Sequence, residues 1–211
     1  MVPKKKDSKK EEDKEEFSYK IENVVATVTL TIEEKLDLML IARKYSDVEY
    51  NPERFPGLIM RVKEPKATIL IFSTGKLVVT GLRAASEAES VVKQSLDRLR
   101  ACNIEIPKPE IVIQNIVASG DLNCLVDLNM AAVVMEYSMY EPEVFPGLIY
   151  RMQEPKSVFL IFSTGKIVCT GAKSKEIVAE AVEKLYHIVR EYGVAKENED
   201  FEFEEEEMSF L

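Results

Sequence analysis

One stretch of this chain is written twice. Residues 55–81 read FPGLIMRVKEPKATILIFSTGKLVVTG and residues 145–171 read FPGLIYRMQEPKSVFLIFSTGKIVCTG; in register at an offset of 90, 19 of the 27 positions are identical, with no gap. Shorter matches precede it: IENVVATV at 21–28 answers IQNIVASG at 113–120, and EYNPERF at 49–55 answers MYEPEVF at 139–145. A period near 90 is far longer than the roughly 20–50 residues of solenoid repeats. It is a duplication of a whole structural unit, and it predicts two similar halves about a pseudo-twofold axis. The length of 211 residues suits one body of two fused halves.

The ends have a different composition. Residues 1–16 hold six lysines and six acids, and residues 197–211 hold eight acids and no base, which leaves residues 17–196 at −1 of the total −9. The body is close to neutral and the acidity sits at one end. Both ends are too polar to bury a core and read as disordered. The acidic end is a solubility appendage, an intramolecular competitor for a basic surface or a contact for a partner. The expected organisation is a charged tail at 1–16, a first repeat at 17–105, a linker at 106–110, a second repeat at 111–193 and an acidic tail at 194–211. No apolar run reaches the ~18 residues of a membrane span, and MVPKKKDSKKEEDKEE has no apolar core of a signal peptide. Cys102, Cys124 and Cys169 lack metal-ligand spacing and read as free thiols. His187, the single histidine, has no nucleophile at a recognisable spacing, so no catalytic constellation and no cofactor motif emerges.

Each half repeats one order of elements. A β-branched run is followed by a helical stretch (33–45; 122–135), three short strands, and a long amphipathic helix (86–101; 174–193) with apolar residues three and four apart. Pro65 and Gly75 read as hairpin tips. The expected class is α+β, an antiparallel sheet with two helices per half on one side. A sheet covered on one face alternates apolar and polar residues, and these strands do not. If Ile69, Ile71, Leu77 and Val79 face the helices, then Leu70, Phe72, Val78 and Thr80 face away. Their counterparts are Leu160, Phe162, Val168 and Thr170. The same parity adds Asn23, Val25 and Thr27, then Asn115, Val117 and Ser119, and also Phe55, Ile59, Phe145 and Ile149. The result is a large apolar face with small polar groups at its centre. Such a face is either buried in a sandwich or dimer, or exposed for binding.

Cations ring it: Arg61 and Arg151 in the strands, Lys76 and Lys166 at strand starts, Lys63, Lys66 and Lys156 near the turns. A basic rim suits phosphates, and an apolar floor carrying Asn and Thr suits the minor groove of a duplex, itself nearly twofold. Two symmetric pairs of Phe suit wedges between base steps.

The doubled F-P-G-L-I-x-R…E-P-K…L-I-F-S-T-G-K-x-V-x-T-G resembles the TATA-box-binding protein family over about 21–193. The resemblance implies a saddle of ten antiparallel strands with four helices on its convex side, in a factor that binds the TATA box, kinks it and nucleates the initiation complex. It implies that Phe55 with Phe72, and Phe145 with Phe162, intercalate. Asn23, Asn115, Thr80 and Thr170 would bond central base acceptors, while Val25, Val117, Leu70, Leu160, Val78 and Val168 would lie on the groove floor. Arg61, Arg151, Lys76 and Lys166 would meet phosphates. Glu141, Glu143 and Val144 match the family's contact with the B-type transcription initiation factor, and through it RNA polymerase. Glu22 stands where many members carry Gln, with Gln114 in the second half, and is expected to point away from the DNA face. F-P-G in both halves, short N-terminal extension, low isoelectric point and acidic end look archaeal, placing it at the nucleoid; a eukaryotic member would be nuclear. A homodimer off DNA stays open, as does a protein-binding role for the apolar face.

Overall fold

The computed structural model describes residues 17–106 and 108–196; the expected tail at 1–16, and all of the acidic tail beyond 196, lie outside the described residues. Along the chain run β1 (Ser18–Thr29), α1 (Leu38–Lys44), β2 (Val48–Glu49), β3 (Leu58–Val62), β4 (Ala67–Ile71), β5 (Lys76–Leu82) and α2 (Ala88–Arg100). The second half repeats them as β6 (Glu110–Asp121), α3 (Leu128–Val134), β8 (Ser138–Met139), β9 (Leu148–Met152), β10 (Ser157–Ile161), β11 (Lys166–Ala172) and α4 (Lys175–Glu191), and adds β7 (Leu125–Val126) before α3 and β12 (Ala195–Lys196) after α4.

Ten strands form one open, saddle-like antiparallel sheet in the order β2-β3-β4-β5-β1-β6-β11-β10-β9-β8. The order reads the same from either edge, so the pseudo-twofold axis passes between β1 and β6. These long central strands pair from Ser18 with Asp121 to Thr29 with Glu110, and they weld the halves into one sheet. Val24, Ala26, Val28, Ile69, Ile71, Leu77 and Val79, with Ile116, Ala118, Phe159, Ile161, Ile167 and Cys169, are buried in one continuous core. The α2 helix covers β3 and β5, and α4 covers β6 and β11. Spacing predicts the apolar stripes as Val91, Val92, Leu96 and Leu99 on α2 and Ile177, Val178, Ala181, Val182, Leu185 and Ile188 on α4; all are buried except Ile177 and Ile188, which are half-buried against the core, and α4 buries Tyr186 and Val189 instead.

Three boundaries differ from expectation. The helical stretches at 33–45 and 122–135 shrink to seven-residue helices, because Asp37 and Asp127 act as N-caps whose carboxylates accept from Leu40 N and Met130 N, both at 3.0 Å. Residues 194–196 belong to the fold: Val194 is buried, and Ala195 and Lys196 pair with Val126 and Leu125. The linker ends before Glu110, which already pairs with Thr29.

The caps carry a stability prediction. Asp127→Ala leaves the first-turn N–H of Met130 without its partner and is expected to destabilise by about 0.5–2 kcal/mol. Calorimetry should show a melting temperature lower by roughly 2–4 °C per kcal/mol, with secondary structure unchanged by circular dichroism.

Candidate nucleic-acid interface

The open face follows from the strand pattern. Burial alternates strictly in β4 and β10 and over the first five residues of β5 and β11: Leu70, Val78, Leu160 and Val168 are half-buried between fully buried neighbours, and Thr80 and Thr170 are half-buried between a buried residue and an exposed glycine. Val25 and Val117 lie half-buried on the central strands of the same face. The sheet's apolar floor is therefore accessible, with its polar groups near the axis.

Two locks hold those polar groups. Asn23 Oδ1 accepts from Gly81 N at 2.8 Å, and Asn115 Oδ1 accepts from Gly171 N at 2.8 Å. Gly81 and Gly171 have φ of +90° and +89°, which aims each N–H out of the ladder toward the Asn. A backbone N–H can only donate, so it fixes the amide orientation: oxygen toward glycine, Nδ2 free to donate. Asn23 Nδ2 reaches Thr80 Oγ1 at 3.3 Å, and Asn115 Nδ2 reaches Thr170 Oγ1 at 3.1 Å. The centre of the face thus presents two matched donor pairs.

At the outer ends the four Phe pair as the repeats predict. Phe55 and Phe72 stand 5.7 Å apart between ring centroids at 67°, Phe145 and Phe162 5.9 Å apart at 64°. Edge-to-face contact of this kind fixes each ring against its neighbour. The F-P-G glycine makes room for it: a Cβ on Gly147 would lie 2.7 Å from Phe145 Cε1 and 3.1 Å from Phe162 Cε1, and Gly57 repeats both distances with Phe55 and Phe72. The third letter of F-P-G was the available signal for this packing.

The cations are arranged less symmetrically. All four are exposed. Lys76 and Arg151 carry no ion pair among the described residues, whereas Arg61 pairs with Glu49 at 2.5 Å and Lys166 pairs with Asp121. The Asp121 carboxyl lies below its usual range, since the Lys166 ammonium and the Asn123 N–H together outweigh its desolvation, the largest single influence on it. Glu49 and Asp121 approach only once strands pair, so the linear sequence gave no warning of them. Glu141, Glu143 and Val144 are exposed on the loop before Phe145, Val144 to 80%.

Glu22 is where the expectation fails. Between Ile21 and Asn23 the register against β6 shifts, and between Val25 and Ala26 it shifts again opposite Gln114. Glu22 and Gln114 are the two extra residues of β-bulges, which re-aim side chains. Ser119 Oγ donates to Glu22 Oε1 at 2.8 Å, and Gln114 Nε2 donates to Thr27 Oγ1 at 2.8 Å. Ser119 and Thr27 are open-face residues, so Glu22 reaches the open face and does not point away from it. Lys20 at 2.9 Å, Ser119 and Arg83 together hold its carboxyl down to about 2.

Cys102, Cys124 and Cys169 are buried free thiols, and burial pushes the Cys169 thiol up to about 11. His187 lies on α4 with its ring edge against Tyr186. No helix among the described residues is long and apolar enough to cross a membrane.

Comparison with known proteins agrees with this geometry. The family model described as transcription factor TFIID, or TATA-binding protein, matches residues 18–102 and 110–192, one match for each half. The chain belongs to the TATA-binding protein family. Among similar relatives, the TATA-box-binding protein of Pyrobaculum islandicum is 50% identical over 195 residues, covering 92% of this chain and 97% of its own. That of Pyrodictium occultum is 55% identical over 167 residues, covering 79% and 83%. The solved structure of the Methanococcus jannaschii TBP has a TM-score of 0.73 and 41% identity, covering 82% of this chain and 98% of that one. The family's doubled unit thus spans nearly all the described residues.

Proposed function

We propose that this chain is an archaeal general transcription initiation factor that binds the TATA box through the minor groove and bends it. The observation that carries the reading is the pair of Asn–Thr donor locks at the centre of an accessible apolar face, flanked by two Phe pairs. Minor-groove A·T pairs offer only acceptors, which is what two fixed amide donors suit. Val25, Val117, Leu70, Leu160, Val78 and Val168 then lie against the groove floor. Arg61, Arg151, Lys76 and Lys166 reach phosphates, Arg61 and Lys166 by exchanging a carboxylate for one. Four such contacts give a salt dependence with a slope of about −0.9 for each phosphate neutralised. The relatives named as TATA-box-binding proteins support the same reading. Its test is a binding titration at fixed salt with TATA-containing, G·C-rich and random duplexes; equal affinity for all three defeats it.

Two nearly identical faces orient only weakly on a nearly symmetric site. Strong direction comes from the B-type initiation factor docking at Glu141, Glu143 and Val144, and through it RNA polymerase. Charge reversal at Glu141 and Glu143 is expected to leave binary TATA binding within about twofold, because single exposed charges contribute weakly, and to abolish the ternary complex in a gel shift. Loss of binary binding would place this loop on the DNA instead.

A further inference from the structure

The duplication makes each half a template for the other, and the two differ on the helix side of the sheet. In the second half the segments before α3 and after α4 close on each other. Val126 pairs with Ala195 and Leu125 with Lys196, and Asp127 N donates to Val194 O at 2.9 Å. At the offset of 90, the matching residues of the first half are Lys35 to Asp37 and Ile104 to Ile106. These form no ladder. After Ile106 the chain must reach Glu110, opposite Thr29, within a few residues, so it leaves the path that β12 takes. A groove of about 640 Å³ lies between the two segments, inside the range of roughly 300–1,000 Å³ that holds ligands. Ile32, Leu36, Leu40, Cys102, Ile104 and Ile106 give it apolar walls. Leu36 N donates to Ser73 O at 2.9 Å, as Val126 N does to Ser163 O at 2.9 Å. On either side of it, Lys35 N, Lys35 O and Asp37 N have no hydrogen-bond partner among the described residues. Their counterparts on Leu125 and Asp127 are the groups that face β12. Around the groove stand four exposed carboxylates, Glu33, Glu34, Asp37 and Glu105, against one ammonium, Lys35.

We propose that this groove takes an extended segment of a partner protein, in which apolar residues alternate with Lys or Arg, added as a strand along Lys35 to Asp37. Unpaired main-chain groups on alternate residues are a template for strand addition. Successive side chains of a strand point to opposite faces. One set of the incoming side chains therefore meets Ile32, Leu36 and Ile104, and the other meets the carboxylates. The second half shows the same edge already satisfied by a strand of the chain itself, β12. The acidic rim repels residues 197–211, which hold eight acids and no base, so a basic segment is the occupant. The groove lies between α1 and the end of α2, so it stays open when the other face of the sheet is covered.

Residue-resolved amide exchange on the full chain, with a hexapeptide of alternating Val and Lys as the probe, tests this. In the free protein the Leu125 and Asp127 amides should exchange slowly and those of Lys35 and Asp37 fast. The hexapeptide should slow Lys35 and Asp37 and leave Leu125 and Asp127 as they were. The same hexapeptide methylated at every backbone nitrogen keeps its charges and side chains but cannot donate to a ladder. It should bind about tenfold or more weakly, the loss of two or three backbone hydrogen bonds. Glu33→Lys with Glu34→Lys reverses part of the rim at exposed positions. It should weaken the unmethylated hexapeptide by about three- to tenfold at low salt, and by less as salt screens the charges. Slow exchange of Lys35 and Asp37 already in the free protein would show that the chain fills its own groove, and it overturns the proposal. Equal affinity for the methylated hexapeptide overturns it too, as does a response confined to residues beyond 196, where the probe would be meeting acidic residues alone.

Discussion

Phe145→Ala and Phe162→Ala are expected to bind the TATA duplex but to bend it less. Minor-groove wedges, for which this family is a standard example, unstack base steps at a few kcal/mol each and recover it through the wider surface that bent DNA contacts. Removing a ring removes both the wedge and its stacking on a base, worth about 1–3 kcal/mol, or roughly 5- to 150-fold in Kd. The fold should survive, because neither ring belongs to the buried core and the edge contact between them contributes only about 0.5–1.5 kcal/mol. Melting should fall by a few degrees. Gly147→Ala supplies the finer version: its Cβ would press on Phe145 at 2.7 Å and on Phe162 at 3.1 Å, moving both rings without deleting either. It should shift the bend angle in the same direction by less. Energy transfer across an end-labelled duplex measures all three, and parental bending by both Phe variants would remove the wedges from the mechanism.

The reach of the sequence in this molecule is set by the range of the interactions involved. Strand parity was readable because it is a local alternation, reinforced by a second copy: Leu70 with Leu160 and Val78 with Val168 were placed on the open face from spacing alone, and the sheet puts them there. The core stripes of α2 and α4 were readable for the same reason. What escaped reading depends on pairing between distant residues. A bulge adds one residue to one strand, and in IENVVATV, where polar Glu22 and Asn23 are adjacent and Val24 to Ala26 are all apolar, the alternation does not reveal where. Parity counted through Glu22 therefore puts its side chain on the wrong face, and only the register against β6 shows the shift. The ion pairs of Arg61 with Glu49 and Lys166 with Asp121 join residues of different strands. The shortened helices were legible in principle, since Asp37 and Asp127 are strong N-caps, but apolar residues upstream of each masked the start. The β12 strand was hidden because it is only two residues long, adjoins a strongly acidic segment and is defined by pairing with the distant Val126 and Leu125.

A central A·T pair replaced by G·C should weaken binding by about 1–3 kcal/mol, roughly 5- to 150-fold, while exchange of A·T for T·A should change little. The geometry fixes the sign. Gly81 N and Gly171 N hold the oxygens of Asn23 and Asn115 at 2.8 Å, so the amides cannot flip to offer an acceptor without leaving a backbone N–H unpaired, at a cost of about 1–3 kcal/mol. The groove floor therefore meets donors. Adenine N3 and thymine O2 accept from them in either orientation of the pair, which is why A·T and T·A are alike. Guanine brings its 2-amino group to the same place, and a donor then faces a donor. Thr80 and Thr170 can rotate to accept, but each hydroxyl already shares its proton and lone pairs with an Asn. Competition binding with single central substitutions measures the effect, and inosine·C isolates its cause. Inosine keeps guanine's other edges and lacks the 2-amino group, so it should restore most of the affinity lost to G·C. Equal affinity for the G·C duplex would show that the amides do not read the groove; a loss that inosine leaves unrelieved would assign the selectivity to stiffness of the G·C step instead of to the Asn–Gly locks.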